Sequence, residues 1–305
     1  MPAPRTPQQG STPLFDTDFL KKLEYLSLVS RRVFRGQILA QRRTTQLGGG
    51  IEFADHREYA PGDDFRYLDW NVYARHDELL LKRFQEDEDL HVYIFVDCSR
   101  SMAFGSPVKF DYARQVAAAL AYIALADLDR VAVMAFADDI VADFPLTRGK
   151  ARVLTLLKFL EQIKPQGNLT DLSRVARSFI HRRQAQRRGL AVVVSDLFDP
   201  NGFEKGLDLL RHHRFEPHVV QLYDRTEADP GFKGDLELLD VETGTVEKVT
   251  VTERNLRRYK QIFETFLESV RRYCTTYGIS VNRTTTDVPF DELILRMMRA
   301  AGAVA

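Results

Sequence analysis

Asp97, Ser99 and Ser101 stand on alternate residues in "VDCSRSM", directly after an apolar run. A tight turn leaving a strand can aim one carboxylate and two hydroxyls of this spacing at a single point. Thr170 in "QGNLTDL" and Asp196 in "VSD" supply a further hydroxyl and a second carboxylate. An all-oxygen set of this kind suits a hard divalent cation, Mg²⁺ or Mn²⁺, held by one or two carboxylates. Neutral hydroxyls fill coordination positions without cancelling charge. If one carboxylate acts only through water, the ion stays electrophilic and takes a carboxylate from a partner protein as its sixth ligand. Taken alone, the same loop also reads as a helix cap or a closed turn. Cys98 inside it is a poor nucleophile, because no His lies within a few residues.

These residues need elements to position them. "HVYIFVD" (His91–Asp97) and "LAVVVSD" (Leu190–Asp196) are short, near-continuous apolar runs of the kind buried on both faces of a parallel sheet. "RVAVMAF" (130–136) and "PHVVQLYD" (217–224) read as further strands, and Ile140 to Phe144 as an edge strand. Between them lie helical patterns. One is capped by Ser106 with Pro107 at its first position, one is capped by Thr147, and one carries the stripe Leu172, Val175, Ala176, Phe179 and Ile180. Phe203 to His213 reads as another. Thr252 opens a long helix with Leu256, Tyr259, Phe263, Phe266, Leu267, Val270, Cys274 and Tyr277 facing inward and Gly278 as its stop. "GISVNRTTT" is a last strand and Phe290 to Ala300 a last helix. Alternating strands and helices predict an α/β fold, a doubly wound and mostly parallel sheet flanked by helices. In such sheets ligands bind outside the carboxyl ends of the strands, where Asp97 and Asp196 fall.

The rest of the chain divides by composition. Residues 1–15 are rich in Pro, Gln, Ser and Thr and read as a disordered leader. Residues 16–89 read as a helix from about Thr17 to Arg35 followed by a small β module without helices, with a turn at Pro61-Gly62. Residues 90–305 form the α/β domain, with a β-hairpin insertion near 235–251 around Glu242-Thr243-Gly244. Asp63, Asp64, Asp69 and Trp70 in "PGDDFRYLDW" suggest a brace between the β module and the α/β domain through Arg57, Arg66 or Arg75.

At this point the chain resembles a family. The Asp-x-Ser-x-Ser loop with the later Thr and Asp is similar to the metal-ion-dependent adhesion site of von Willebrand factor A domains. The preceding "GGGIEFADHREYAPGDDFRYLDWNVYARHDELLLKRFQEDEDL" resembles the signature of a bacterial family, domain of unknown function 58, in which it leads into an A-type domain. With the "DVETG" hairpin the resemblance covers about residues 20 to 300. It implies a von Willebrand factor A-like fold, with Asp97, Ser99, Ser101, Thr170 and Asp196 as the adhesion-site ligands. It also implies a MoxR-type AAA+ ATPase as partner in a chaperone-like or maturation system. "QGNLTDL" departs from the family pattern in lacking a double glycine before the threonine.

Composition sets outer bounds. The 305 residues carry 43 Lys plus Arg and 43 Asp plus Glu, so no global field selects nucleic acid or an anionic membrane. Two cysteines exclude a disulfide framework. No signal-peptide core precedes the fold and no apolar stretch reaches membrane length, which predicts a cytoplasmic protein. Gly48-Gly49-Gly50 lacks the Lys-Ser or Lys-Thr of a nucleotide loop. His212, His213 and His218 lack the spacing of a zinc site, and the Arg182-Arg183 and Arg187-Arg188 pairs read as a solvated face. The leading expectation is a non-enzymatic, Mg²⁺-dependent protein-interaction module that recognises an acidic side chain. A metal-assisted hydrolase using the same loop, or a scaffold with a degenerate site, are the alternatives.

Overall fold

The structure, a computed structural model, describes residues 14–34, 43–46, 52–87, 90–167, 169–182, 187–231, 234–239 and 246–303. The leader up to residue 13, Gly48–Gly50, Arg183 and the Glu242-Thr243-Gly244 turn lie outside these. The centre is a six-stranded sheet built from β4 (His91–Asp97), β5 (Arg130–Phe136), β6 (Ile140–Arg148), β7 (Leu190–Ser195), β8 (Glu216–Tyr223) and β11 (Ser280–Thr285). Its order is β11-β8-β7-β4-β5-β6, parallel throughout except for β6, which runs antiparallel to β5 at the edge. The chain is thus a mixed α/β protein with helices on both faces of a mostly parallel sheet.

Strand alternation makes the two cores. Val92, Ile94 and Val96 of β4 face one side with Val131, Val133, Val192 and Val194. There they meet α3 (Lys109–Ala126) and α4 (Val153–Gln162). Tyr93 and Phe95 face the other side, against α5 (Leu172–Ile180), α6 (Glu204–His212) and α8 (Glu253–Thr276). The alanines of α3, several of them wholly buried, let that helix lie close over the sheet centre. The N-terminal helix α1 (Thr17–Phe34) buries Phe19, Leu23 and Leu26 in the same core as α3 and α9 (Phe290–Ala303). Although sequence grouped it with the β module, its ring contact is Phe19 to Phe290 at 4.8 Å and its ion pair Lys22 to Asp291 at 2.9 Å.

The β module is a three-stranded sheet, β1 (Arg43–Gln46), β2 (Glu52–Glu58) and β3 (Leu80–Asp87), in the order β1-β3-β2. It contains a short helix, α2 (Trp70–His76), which the sequence reading lacked. Asp69 caps it, accepting from the backbone N–H of Asn71 and Val72, and a left-handed Asp77 ends it. Among the described residues the ion pairs of Asp63, Asp64 and Asp69 lie inside the module. Arg57 pairs with Asp63 at 2.6 Å, Arg66 with Asp64 at 2.6 Å, and Asp69 with His56 at 2.9 Å and Lys82 at 3.4 Å. The Asp69 carboxyl is held down near 2, chiefly by His56.

Several local expectations shift. Helix α3 starts at Lys109 with Val108 at the cap position and no side-chain cap bond, and Ser106 lies upstream, its backbone N–H donating to Asp224 Oδ2 at 3.1 Å. Thr147 pairs with Val131 inside β6, and α4 begins only after the positive-φ turn at Gly149. Thr252 does cap α8, through Asn255 N at 3.2 Å. Phe263, Leu267, Val270 and Cys274 of that helix are buried, whereas Tyr259 and Tyr277 at its two ends are exposed. Two further strands, β9 (Gly234–Leu239) and β10 (Val246–Val251), pair antiparallel between the four-residue helix α7 (Arg225–Ala228) and α8.

Candidate functional site

Strand order reverses between β4 and β7: the chain leaves β4 toward β5 on one side and later returns through β7 on the other. In sheets of this kind the carboxyl ends of the two strands at the switch point are the usual ligand position. Asp97 ends β4, and Asp196 follows the last residue of β7.

The loop after β4 is pinned by its backbone. Cys98 N donates to Phe136 O at 2.8 Å and Met102 N to Ser99 O at 3.1 Å, while Met102 is wholly buried beneath the short 3₁₀ turn Arg100–Ala103. Ser99 occupies the cap position of that turn, yet its side chain makes no capping bond. Its Oγ lies 3.0 Å from Ser101 Oγ instead. Ser99 is thus no side-chain cap and the two hydroxyls share one location, while Asp97 does close a turn of the Asx type through Ser99 N. Asp97 Oδ1 accepts from Ser99 N at 2.9 Å and Oδ2 from Ser195 Oγ at 2.5 Å.

The Thr170 loop is stitched to the same place. Gln166 N donates to Cys98 O at 2.7 Å, and Asp171 N to Ala137 O at 3.1 Å. Helix α5 then starts with Asp171 as its cap, while the Asp199 carboxylate reaches over to accept from Leu172 N at 2.8 Å. Thr170 is 1% exposed and its Oγ1 has no hydrogen-bond partner among the described residues. Buried hydroxyls are mostly paired, by protein groups or by water, which makes this one a candidate contact for a bound group.

After β7 the backbone is forced. Leu197 is buried with φ of 62°, a left-handed conformation that Leu rarely adopts. It lets Ser195 Oγ accept from Leu197 N at 2.8 Å and Asp196 Oδ1 from Phe198 N at 3.1 Å. Strain of this kind, kept by surrounding structure, gathers at functional sites.

Sequence reasoning missed Lys109, Ser195 and Glu227. Lys109 is wholly buried, its Nζ 2.7 Å from Asp196 Oδ2, 2.5 Å from Glu227 Oε1 and 5.3 Å from the Phe198 ring centroid. The visible signals were a lone Lys inside the apolar α3 pattern and the D-x-x-E capping box Asp224–Glu227. Burial lowers the Lys109 pKa, but Asp196 and Glu227 outweigh it and hold the ammonium above its ordinary value. Burial, then the neighbouring Asp196, pushes the Asp97 carboxyl up to about 7. The Lys109 ammonium is thus shared by Asp196 and Glu227, while Asp97, at the same sheet end, accepts from the neutral Ser99 N and Ser195 Oγ.

The residues present fit a divalent cation: a carboxylate, paired hydroxyls and an orphan hydroxyl, all oxygen donors. Among the described residues no three His, Cys, Asp or Glu converge, so this site depends on hydroxyls. The His reading gains nothing: His218 instead lies against Asn282 Nδ2 at 2.9 Å. Cys98 is buried with its thiol pushed up to about 12 by burial, and its Sγ donates to Phe136 O at 3.2 Å. It stabilises the loop and has no nucleophilic character.

Relatives match over most of the chain. Proteins of Mycobacterium bovis and Mycobacterium tuberculosis, both called uncharacterized, are 28% identical over 240 residues, covering 77% of this chain and 75% of theirs. Among solved structures, BatB of Bacteroides thetaiotaomicron is 14% identical with a TM-score of 0.39, over 71% of this chain and all of that one. An aerotolerance-related membrane protein of Bacteroides fragilis is 17% identical with the same TM-score and coverage. Likeness at that level carries no argument about function. Among the described residues no helix is long and apolar enough to cross a membrane. The model of the family described as protein of unknown function DUF58 matches residues 55–265, well over half of the chain, and the protein belongs to that family.

Proposed function

We propose that the carboxyl ends of β4 and β7 form a metal-ion-dependent adhesion site of the von Willebrand factor A type. It binds Mg²⁺ or Mn²⁺ through Asp97, Ser99, Ser101 and Thr170, with Asp196 acting through water, and presents the ion to an acidic side chain of a partner protein. The observation that carries this reading is the buried Thr170 hydroxyl, unpartnered among the described residues, at the end of the sheet that also buries Asp97 and Asp196. Its surroundings suit protein contact: Phe104, just past the 3₁₀ turn, is 46% exposed, and Leu169, beside Thr170, is 45% exposed. A partner carboxylate flanked by apolar side chains matches such a surface. On the family resemblance, that partner is an AAA+ ATPase of the MoxR type, in a chaperone-like or maturation system.

The hydrolase alternative needs a general base at the ion. Against it, Asp196 and Glu227 are both committed to Lys109, and Cys98 is a buried, high-pKa thiol. Titration calorimetry with Mg²⁺ and Mn²⁺ tests the adhesion reading, with binding expected for the wild type and none for Asp97→Ala. A wild-type protein that takes up neither ion sinks it. Retention of the ATPase in Mg²⁺ and its loss in EDTA, read on an affinity column, is the expected result for the partnership.

A further inference from the structure

We propose that Lys109 is a positioning residue of this site: its ammonium keeps Asp196 one water away from the ion, which leaves Asp97 as the directly ligating carboxylate. The inference rests on the metal reading above.

Asp196 carries an ion pair where Asp97 has neutral donors. Its Oδ2 accepts from Lys109 Nζ at 2.7 Å and its Oδ1 from Phe198 N at 3.1 Å, whereas the donors to Asp97 are the neutral Ser99 N and Ser195 Oγ. A cation drawn directly onto Asp196 meets the repulsion of that ammonium at close range. The ammonium itself is fixed, since Glu227 Oε1 holds it from the other side at 2.5 Å. Glu227 is fixed in turn: its Oε2 accepts from Asp224 N at 2.7 Å, and its backbone carbonyl accepts from Tyr259 Oη of α8 at 2.8 Å. Asp224 is tied to Ser106 N at 3.1 Å and Thr286 Oγ1 at 3.1 Å. Three elements therefore clamp the lysine, namely α3, the β7 end and α7, and α8 buttresses the clamp.

The consequence is electrostatic. An ion facing Asp97 and Asp196 with Lys109 beside it keeps net positive character toward a carboxylate from outside. Once Asp196 is released onto the ion, a second direct carboxylate displaces a water and quenches that character. Lys109 thus trades ion affinity for affinity toward the partner's acidic group.

Mn²⁺ added to the full-length chain provides the test, with calorimetry for affinity and water-proton relaxation for the waters left on the bound ion. The variant is Lys109→Met combined with Glu227→Gln, which removes one charge of each sign and frees Asp196. It should bind Mn²⁺ roughly tenfold tighter than the wild type, in the range that ligand-orienting partners contribute. Its relaxation enhancement per bound ion should be lower, and acetate should quench that enhancement less. Unchanged or weaker affinity with unchanged enhancement overturns the proposal. Glu227→Gln alone keeps Lys109 on Asp196 and should retain the wild-type enhancement; if it behaves as the double variant does, the lysine is not the determinant. Should the double variant unfold, Asp196→Asn decides. An enhancement equal to the wild type supports an Asp196 held off the ion, and a rise by one water's worth shows direct ligation. A wild type that binds no Mn²⁺ is a different failure, because it removes the metal reading itself.

Discussion

Thr170 is the residue that best separates a ligand from a structural hydroxyl. Its Oγ1 is buried and unpaired among the described residues, so with them it contributes desolvation cost and no bond. Thr170→Val keeps the shape and removes the oxygen. In EDTA the variant should melt at the wild-type temperature or slightly above it, a stabilisation of up to about 1 kcal/mol. In Mg²⁺ it should bind the ion several-fold more weakly by calorimetry. A structural hydroxyl would give the reverse pattern, a lower melting temperature with Mg²⁺ affinity intact. Asp97 differs, because both its oxygens already accept from Ser99 N and Ser195 Oγ. Removing it disturbs the loop as well as the ion.

At the scale of elements, the contact of α5 with α6 places Thr170. A Cβ on Gly206 would lie 2.6 Å from Leu172 Cγ and 2.8 Å from the Leu172 carbonyl oxygen, so the two helices meet where only glycine fits. Gly206→Ala should cost about 1–3 kcal/mol in urea unfolding by overpacking. It should also weaken Mg²⁺ binding, since Leu172 is two residues from Thr170; unchanged affinity would mean that the loop stitches hold Thr170 without the helix. On the far side of the sheet, β8 and β11 carry a pH dependence. Burial lowers the His218 ring to about 4, and Asn282 Nδ2 faces its Nε2 at 2.9 Å. The unfolded chain takes up a proton near 6.5 that the folded one refuses until about 4. Stability from this residue is therefore complete above about pH 6.5 and is lost as pH falls toward 4, amounting at pH 5 to about 2 kcal/mol. Urea unfolding at pH 7 and 5 should show that loss in the wild type and a smaller one in His218→Gln.

For the whole molecule, ion binding to the native state alone must appear as stability. Mg²⁺ at a hundred times its Kd adds about 2.7 kcal/mol. For a chain of this size that raises Tm by roughly 5 °C. EDTA should abolish the gain and Asp97→Ala should never show it. The fold is expected to stand without the ion: Lys109 pairs with Asp196 and Glu227, and burial and the neighbouring Asp196 raise the Asp97 pKa, so a proton can neutralise that carboxylate. A protein that unfolds in EDTA would contradict this.

The α/β class and the central strands were legible because each rests on a local signal. Unbroken apolar runs such as "HVYIFVD" and "LAVVVS" suit only strands covered on both faces, and their trailing aspartates mark the ligand end of a parallel sheet. Caps were less legible. Ser106 and Thr147 look like helix starts in isolation, but one lies upstream of its helix and the other is in strand pairing. What only the tertiary structure decided is the company these residues keep. The pairing of Ser195 with Asp97 and of Lys109 with Asp196 and Glu227 joins positions 98, 87 and 118 apart in the chain. Sequence alone singled out the oxygens proposed here to bind a cation. Which of them are free to do so depends on buried partners brought together across β4, β7, α3 and α7, where low dielectric makes each contact count.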